Sequence, residues 1–110
     1  MKISKLNGSA LDWAVAKAWG VSDADINVKT GHPVLRDCMS WRPSTNWVQG
    51  GAIIEQEKIA IDYSDAGNDW CAAVYDADGC YSAKAPLVAA MRAFVASKFG
   101  NDIEVPEELV

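Results

Sequence analysis

The chain of 110 residues carries 15 acids against 10 bases, a net charge of -5, with 50% hydrophobic and 23% charged residues. That length encloses one core, so a single domain over residues 1–110 is expected, and the composition excludes a disordered or membrane-spanning class. No apolar run approaches the ~20 residues that cross a bilayer, and the bases are scattered singly rather than forming the stripe that displaces counterions from phosphates, which disfavours direct nucleic-acid binding.

The start of the chain has Lys2 and Lys5 but no apolar stretch behind them, because Asn7, Gly8, Ser9 and Asp12 intervene. A cytosolic protein is therefore expected. Ser9 and Asp12 have the spacing of a capping box, and Leu6 can staple onto the first turn. Leu11, Ala14, Val15, Ala18 and Trp19 recur on one face before Gly20, which predicts an amphipathic helix over residues 9–19. Ile26-Asn27-Val28 reads as a short strand, and Val34-Leu35 as another after a turn at Gly31-His32-Pro33.

The central stretch, Trp41 to Gly51, holds two indoles, a proline, three small polar residues and a glycine pair. Pro43 holds its own φ and pushes Arg42 towards extended backbone, while Ser44, Thr45 and Asn46 are turn formers whose side chains bond nearby amides. This predicts a turn region or short helix begun by proline and ended by Gly50-Gly51, with Ala52-Ile53-Ile54-Glu55 resuming a path into the core. In a scaffold role, Trp41 and Trp47 cover the sheet and the polar trio satisfies backbone. In a binding role, Trp41, Arg42, Ser44, Thr45, Asn46, Trp47 and Gln49 line a cleft for a peptide or small ligand. The burial of the two indoles separates these readings.

Period-two patterns follow at Lys58–Tyr63, Trp70–Tyr75 and Cys80–Ser82, and Asp78-Gly79 predicts a tight hairpin turn between the last two. Asp76-Ala77-Asp78-Gly79 lacks the closing glutamate of a calcium loop and is read as a turn. Pro86 opens a second helix over residues 86–99, with Leu87, Ala90, Met91, Phe94, Val95 and Lys98 at helical spacing before Gly100. Arg92 and Lys98 suit its C-terminal half, where the dipole favours cations. A short strand at residues 102–105 precedes an acidic tail from Pro106, in which Leu109 and Val110 are able to dock. The pattern of helix, glycine stop and short strand occurs twice, and is common punctuation rather than a repeat array. The expected fold is α+β: an antiparallel sheet of about four strands with two amphipathic helices packed on one face.

Cys38, Cys71 and Cys80 are odd in number and lack a C-x-x-C pair, and His32 is the single histidine, so reduced, buried thiols are expected, with neither a disulfide framework nor a zinc site. Asp62, Asp65, Asp69, Cys38 and His32 are the candidate groups for catalysis, but no phosphate loop, nucleophile elbow or metal constellation accompanies them. No cofactor is expected, and the reading leans away from an enzyme.

Several separated blocks resemble one family. Leu11-Asp12-Trp13-Ala14-Val15-Ala16-Lys17-Ala18, then Pro43-Ser44-Thr45-Asn46-Trp47 with Gly50-Gly51 and Ile53-Ile54-Glu55, form the first two. Ala89-Ala90-Met91-Arg92, Val95-Ala96-Ser97-Lys98-Phe99-Gly100 and Val105-Pro106-Glu107-Glu108-Leu109 complete the pattern. Together they are similar to the NinX family of tailed-phage and prophage proteins. The chain departs from that pattern at Ala52, where members often carry proline, and at Lys84-Ala85, where a Gly or Thr commonly precedes the proline matching Pro86. The resemblance implies expression from a phage or prophage inside a bacterial cell, rather than a reaction. Three functions stay open on the residues: an accessory protein binding a host or phage protein or a small ligand, a small enzyme, or a self-associating homodimer.

Overall fold

The computed structural model describes residues 1–28, 33–35 and 39–109, side chains excepted at 23, 39 and 108. Among them are three α-helices: α1 (Gly8–Ala18), α2 (Trp47–Glu57) and α3 (Pro86–Phe99). The six strands are β1 (Ile26–Asn27), β2 (Val34–Leu35), β3 (Met39–Ser40), β4 (Ile59–Ser64), β5 (Asp69–Val74) and β6 (Tyr81–Ala83). They form two antiparallel three-stranded sheets, β1-β2-β3 and β4-β5-β6. The α+β class is as expected, but a third helix occupies the central stretch, and the strands divide between two small sheets instead of sharing one.

α3 is the centre of the molecule, in contact with α1, α2 and all three strands of the larger sheet. Leu87, Ala89, Ala90, Met91, Ala93, Phe94 and Val95 are all buried, so nearly its whole circumference is covered. Pro86 stands at its first turn and Gly100 follows at φ 83°, a conformation glycine adopts without steric cost. α1 packs on α3 through Leu11, Ala14 and Val15, and the buried alanines of both helices let their axes approach closely. Trp19 meets Phe94 edge-on at 6.0 Å.

β4 and β5 pair in register from Ile59↔Val74 to Ser64↔Asp69, and β5 and β6 from Trp70↔Ala83 to Ala72↔Tyr81. Ile59, Ile61, Trp70, Ala72, Val74, Tyr81 and Ala83 meet the core, and alternation puts Asp62, Cys71, Ala73 and Ser82 on the opposite face. The β5–β6 connection is longer than the tight turn expected at Asp78-Gly79. It runs from Tyr75 to Cys80, with positive φ at Asp76 (61°) and Gly79 (83°), because pairing already stops at Ala72↔Tyr81. The strand expected at 102–105 is reduced to a bridge between Lys2 and Asp102, with Ile3 N–H donating to the Asn101 carbonyl and Ile103 N–H to that of Met1, each at 3.0 Å. Beyond it, Glu107–Leu109 forms a 3-10 turn that packs Leu109 against the core.

Arg92 does more than complement a helix dipole. Its Nε donates to the Leu6 carbonyl and its Nη1 to the Ser82 carbonyl, both at 2.7 Å. The guanidinium thereby ties the segment before α1 to β6. Burial lowers its pKa, and these two acceptors offset the lost hydration. No helix among the described residues is long and apolar enough to cross a membrane.

Candidate functional site

The central stretch is built on Asn46. Its side-chain Oδ1 accepts from Val48 N–H at 2.8 Å and Gln49 N–H at 3.2 Å, satisfying two of the amides that open a helix without partners. Ahead of it, the Arg42 carbonyl accepts from Thr45 and Asn46 N–H at 3.1 and 2.8 Å, closing the Pro43 turn. α2 then runs through Gly50 and Gly51 and ends at Lys58, which takes the left-handed conformation at φ 54°. The expected glycine stop is therefore wrong, and contact explains at least one of the pair. A Cβ on Gly50 would stand 2.4 Å from the Pro43 carbonyl oxygen and 2.7 Å from Leu87 Cδ2. Gly50 is the point where α2 presses on its own lead-in and on α3.

The two indoles separate completely. Trp41 is 7% exposed and belongs to the core, with its backbone N–H on the Pro33 carbonyl. Trp47 is 57% exposed on the first turn of α2, beside Val48 at 84%. The polar candidates divide in the same way. Ser44 is buried and its N–H donates to Asp12 Oδ1 at 2.8 Å. Gln49 accepts from Arg42 N–H at 2.6 Å through Oε1, and its Nε2 donates to the Ser40 carbonyl at 2.9 Å. Arg42 is exposed and its Nε reaches Ser40 Oγ at 3.2 Å. Thr45 and Asn46 are exposed. The seven residues thus form one continuous segment, but Trp41 and Ser44 point inward while Arg42, Thr45 and Trp47 face out.

Asp12 is the residue that sequence reasoning missed here. α1 begins at Gly8 with Asn7 as its unbonded cap residue, so Ser9 is inside the helix and the capping box expected of Ser9 and Asp12 is not its start. Asp12 lies 4% exposed on the inner face of α1 and holds Ser44 instead. Burial raises its pKa from the ordinary 3.8, opposed by the Ser44 hydroxyl, the Ser44 N–H and the charge of Arg42. The hydroxyl is near enough to favour the carboxylate, yet it lacks a well-aligned hydrogen bond, and among the described residues Trp41 Nε1 lacks a partner as well. The signal for Asp12 was available: it is the one acid on the stripe of Leu11, Val15 and Ala16. Val48 was also missed, having been read as part of a turn.

Of the catalytic candidates, the three described aspartates belong to the larger sheet and its turn and not to this segment. Asp62 and Asp69 belong to β4 and β5, and Asp65 lies in the exposed turn between them. His32 and Cys38 lie outside the described residues. Cys71 is half-buried and Cys80 exposed, so these two thiols are not the buried ones expected. Their positions follow from the outer face of β5 and from the loop before β6. Among the described residues no group of three or more His, Cys, Asp or Glu could hold a metal ion.

Comparison with curated proteins finds no match. The family model described as Bacteriophage P22, NinX matches residues 2–98. That span takes in all six described strands, α1, α2, the lead-in from Trp41 and all but the last residue of α3. The chain belongs to the phage P22 NinX family.

Proposed function

We propose that this chain is a phage accessory protein that acts in the cytoplasm of the bacterial host by binding a partner protein, without catalysis, through the surface at the start of α2. The observation that carries this reading is Trp47, 57% exposed beside Val48 on a helix turn whose Val48, Gln49 and Gly50 amides all bond to Asn46. A large aromatic side chain left in water is the residue type that dominates interface energetics when covered. Asn46 fixes the helix start and Gln49 clamps it to Ser40 and Arg42, so little order has to be gained on binding. Arg42 and Thr45, both exposed, supply a polar rim.

The test is a Trp47→Ala variant compared with the parent in infected cells. The expected result is an unchanged circular dichroism spectrum and loss of a partner protein that the parent recovers. A partner set identical for both chains overturns the reading. Sedimentation at several concentrations identifies the partner as a second copy of the chain if the parent self-associates and the variant does not.

A further inference from the structure

We propose that Cys71 and Cys80 form a dithiol site that reacts with low-molecular-weight disulfides, such as glutathione disulfide, and closes into an intramolecular disulfide. The inference stands apart from the Trp47 surface.

Cys71 pairs with Ser82 across β5 and β6, and Ala72 with Tyr81. Since Ala72 is buried, Cys71 lies on the outer face of the sheet. Cys80 comes two residues before Ser82, so strand alternation places it diagonally across from Cys71 on that face. Cys80 is near enough to be the largest influence holding Cys71 above its ordinary pKa of 9.0, helped by burial and by the negative charges of Asp62 and Asp69. Cys71 is thus the poorer first nucleophile, and Cys80 is exposed.

Cys80 also stands on the wall of a groove of about 540 Å³, together with Lys2, Ser4, Asp78, Tyr81 and Asn101. Tyr81 donates its hydroxyl proton to Asn101 Oδ1 at 2.8 Å, which fixes one side of that groove. Lys2 supplies a cation for the carboxylates of an anionic disulfide. A small molecule held there lies beside Cys80, with Cys71 across the strand pair from it.

The chemistry balances in two exchanges. The Cys80 thiolate attacks one sulfur of the small disulfide, forming a mixed disulfide and expelling one thiolate. The Cys71 thiolate then attacks Cys80 Sγ, forming the Cys71–Cys80 bond and expelling the second. Both protein thiols are oxidised, their protons pass to water or to the departing thiolates, and one small disulfide is reduced to two thiols.

The experiment uses a Cys38→Ser background, with glutathione disulfide as the probe and intact mass with peptide mapping as the readout. The expected product is a monomer lighter by two hydrogens, with residues 71 and 80 cross-linked, and reversed by reduced glutathione. In Cys71→Ser the mixed disulfide at Cys80 should accumulate. In Cys80→Ser no cross-link can form, and Cys71, half-buried and facing the charges of Asp62 and Asp69, should react about tenfold more slowly than Cys80 does in Cys71→Ser. Should the background variant misfold by circular dichroism, the parent chain is mapped with Cys38 followed as a separate peptide. A mixed disulfide that persists with Cys71 present, a cross-linked dimer, or no reaction overturns the proposal.

Discussion

Trp41 and Trp47 are six positions apart on one continuous segment and have opposite surroundings. The first is enclosed by the core and the second stands in solvent on the opening turn of α2. The polar residues between them explain the difference. Ser44 is drawn inward by the Asp12 carboxylate, whereas Asn46 spends its side chain on the helix start. Anchoring the inner half leaves the outer half displayed on a rigid base. A loop rich in aromatic and polar residues can therefore be scaffold at one end and surface at the other, and composition alone does not say where the change occurs.

The largest effect should come from the inner half. Trp41→Ala removes a buried indole and should cost about 3–5 kcal/mol of unfolding free energy, read as a shift in the urea midpoint. A loss no larger than that of Trp47→Ala would erase the contrast. Gly50→Ala tests the joint between the halves: its Cβ meets the Pro43 carbonyl and Leu87, so a loss of about 1–3 kcal/mol is expected despite the better helix propensity of alanine. A stability gain would show that α2 does not press on its lead-in as described.

The pH dependence sharpens the role of Asp12. The folded chain holds this proton more tightly than the unfolded chain, because burial raises the pKa above 3.8. Raising the pH through 3.8 therefore ionises the unfolded chain first, and the parent loses stability until the folded carboxyl has titrated. Asp12→Asn keeps an acceptor for Ser44 N–H without the charge, so the variant should gain on the parent across that window. Parallel urea midpoints for the two chains over the same pH range would contradict the assignment. The smallest expected effect on stability is that of Trp47→Ala, within about 0.5 kcal/mol, as for most surface changes. A loss of several times that amount would mean that Trp47 supports the fold.

How much of this was legible follows from the local physics of each element. α1 and α3 could be read because apolar spacing, a proline start and glycine stops agree with one another, and α3 begins and ends where expected. α2 was hidden because two glycines, each worth about 1 kcal/mol against a helix, sit in its first half. Its folding rests on the Asn46 cap and on contact with Pro43 and Leu87, which are tertiary facts. The split of the strands into two sheets was equally hidden, since β1, β2 and β3 are two residues each and two residues carry no period. At the candidate site, the segment was legible and its inward and outward halves were not, because Asp12, which sets them, lies 32 residues from Ser44.

Arg92 gives the architecture a kinetic consequence. Its two acceptors lie 86 and 10 residues away along the chain, one contact that closes early in assembly and one that closes late. Until both have formed, a half-buried cation lacks part of its compensation, so a partly assembled chain with only the hairpin or only the leading segment in place is disfavoured. Slow amide exchange in the leading segment and in β6 should consequently be lost together, as one cooperative unit clasped by a single guanidinium.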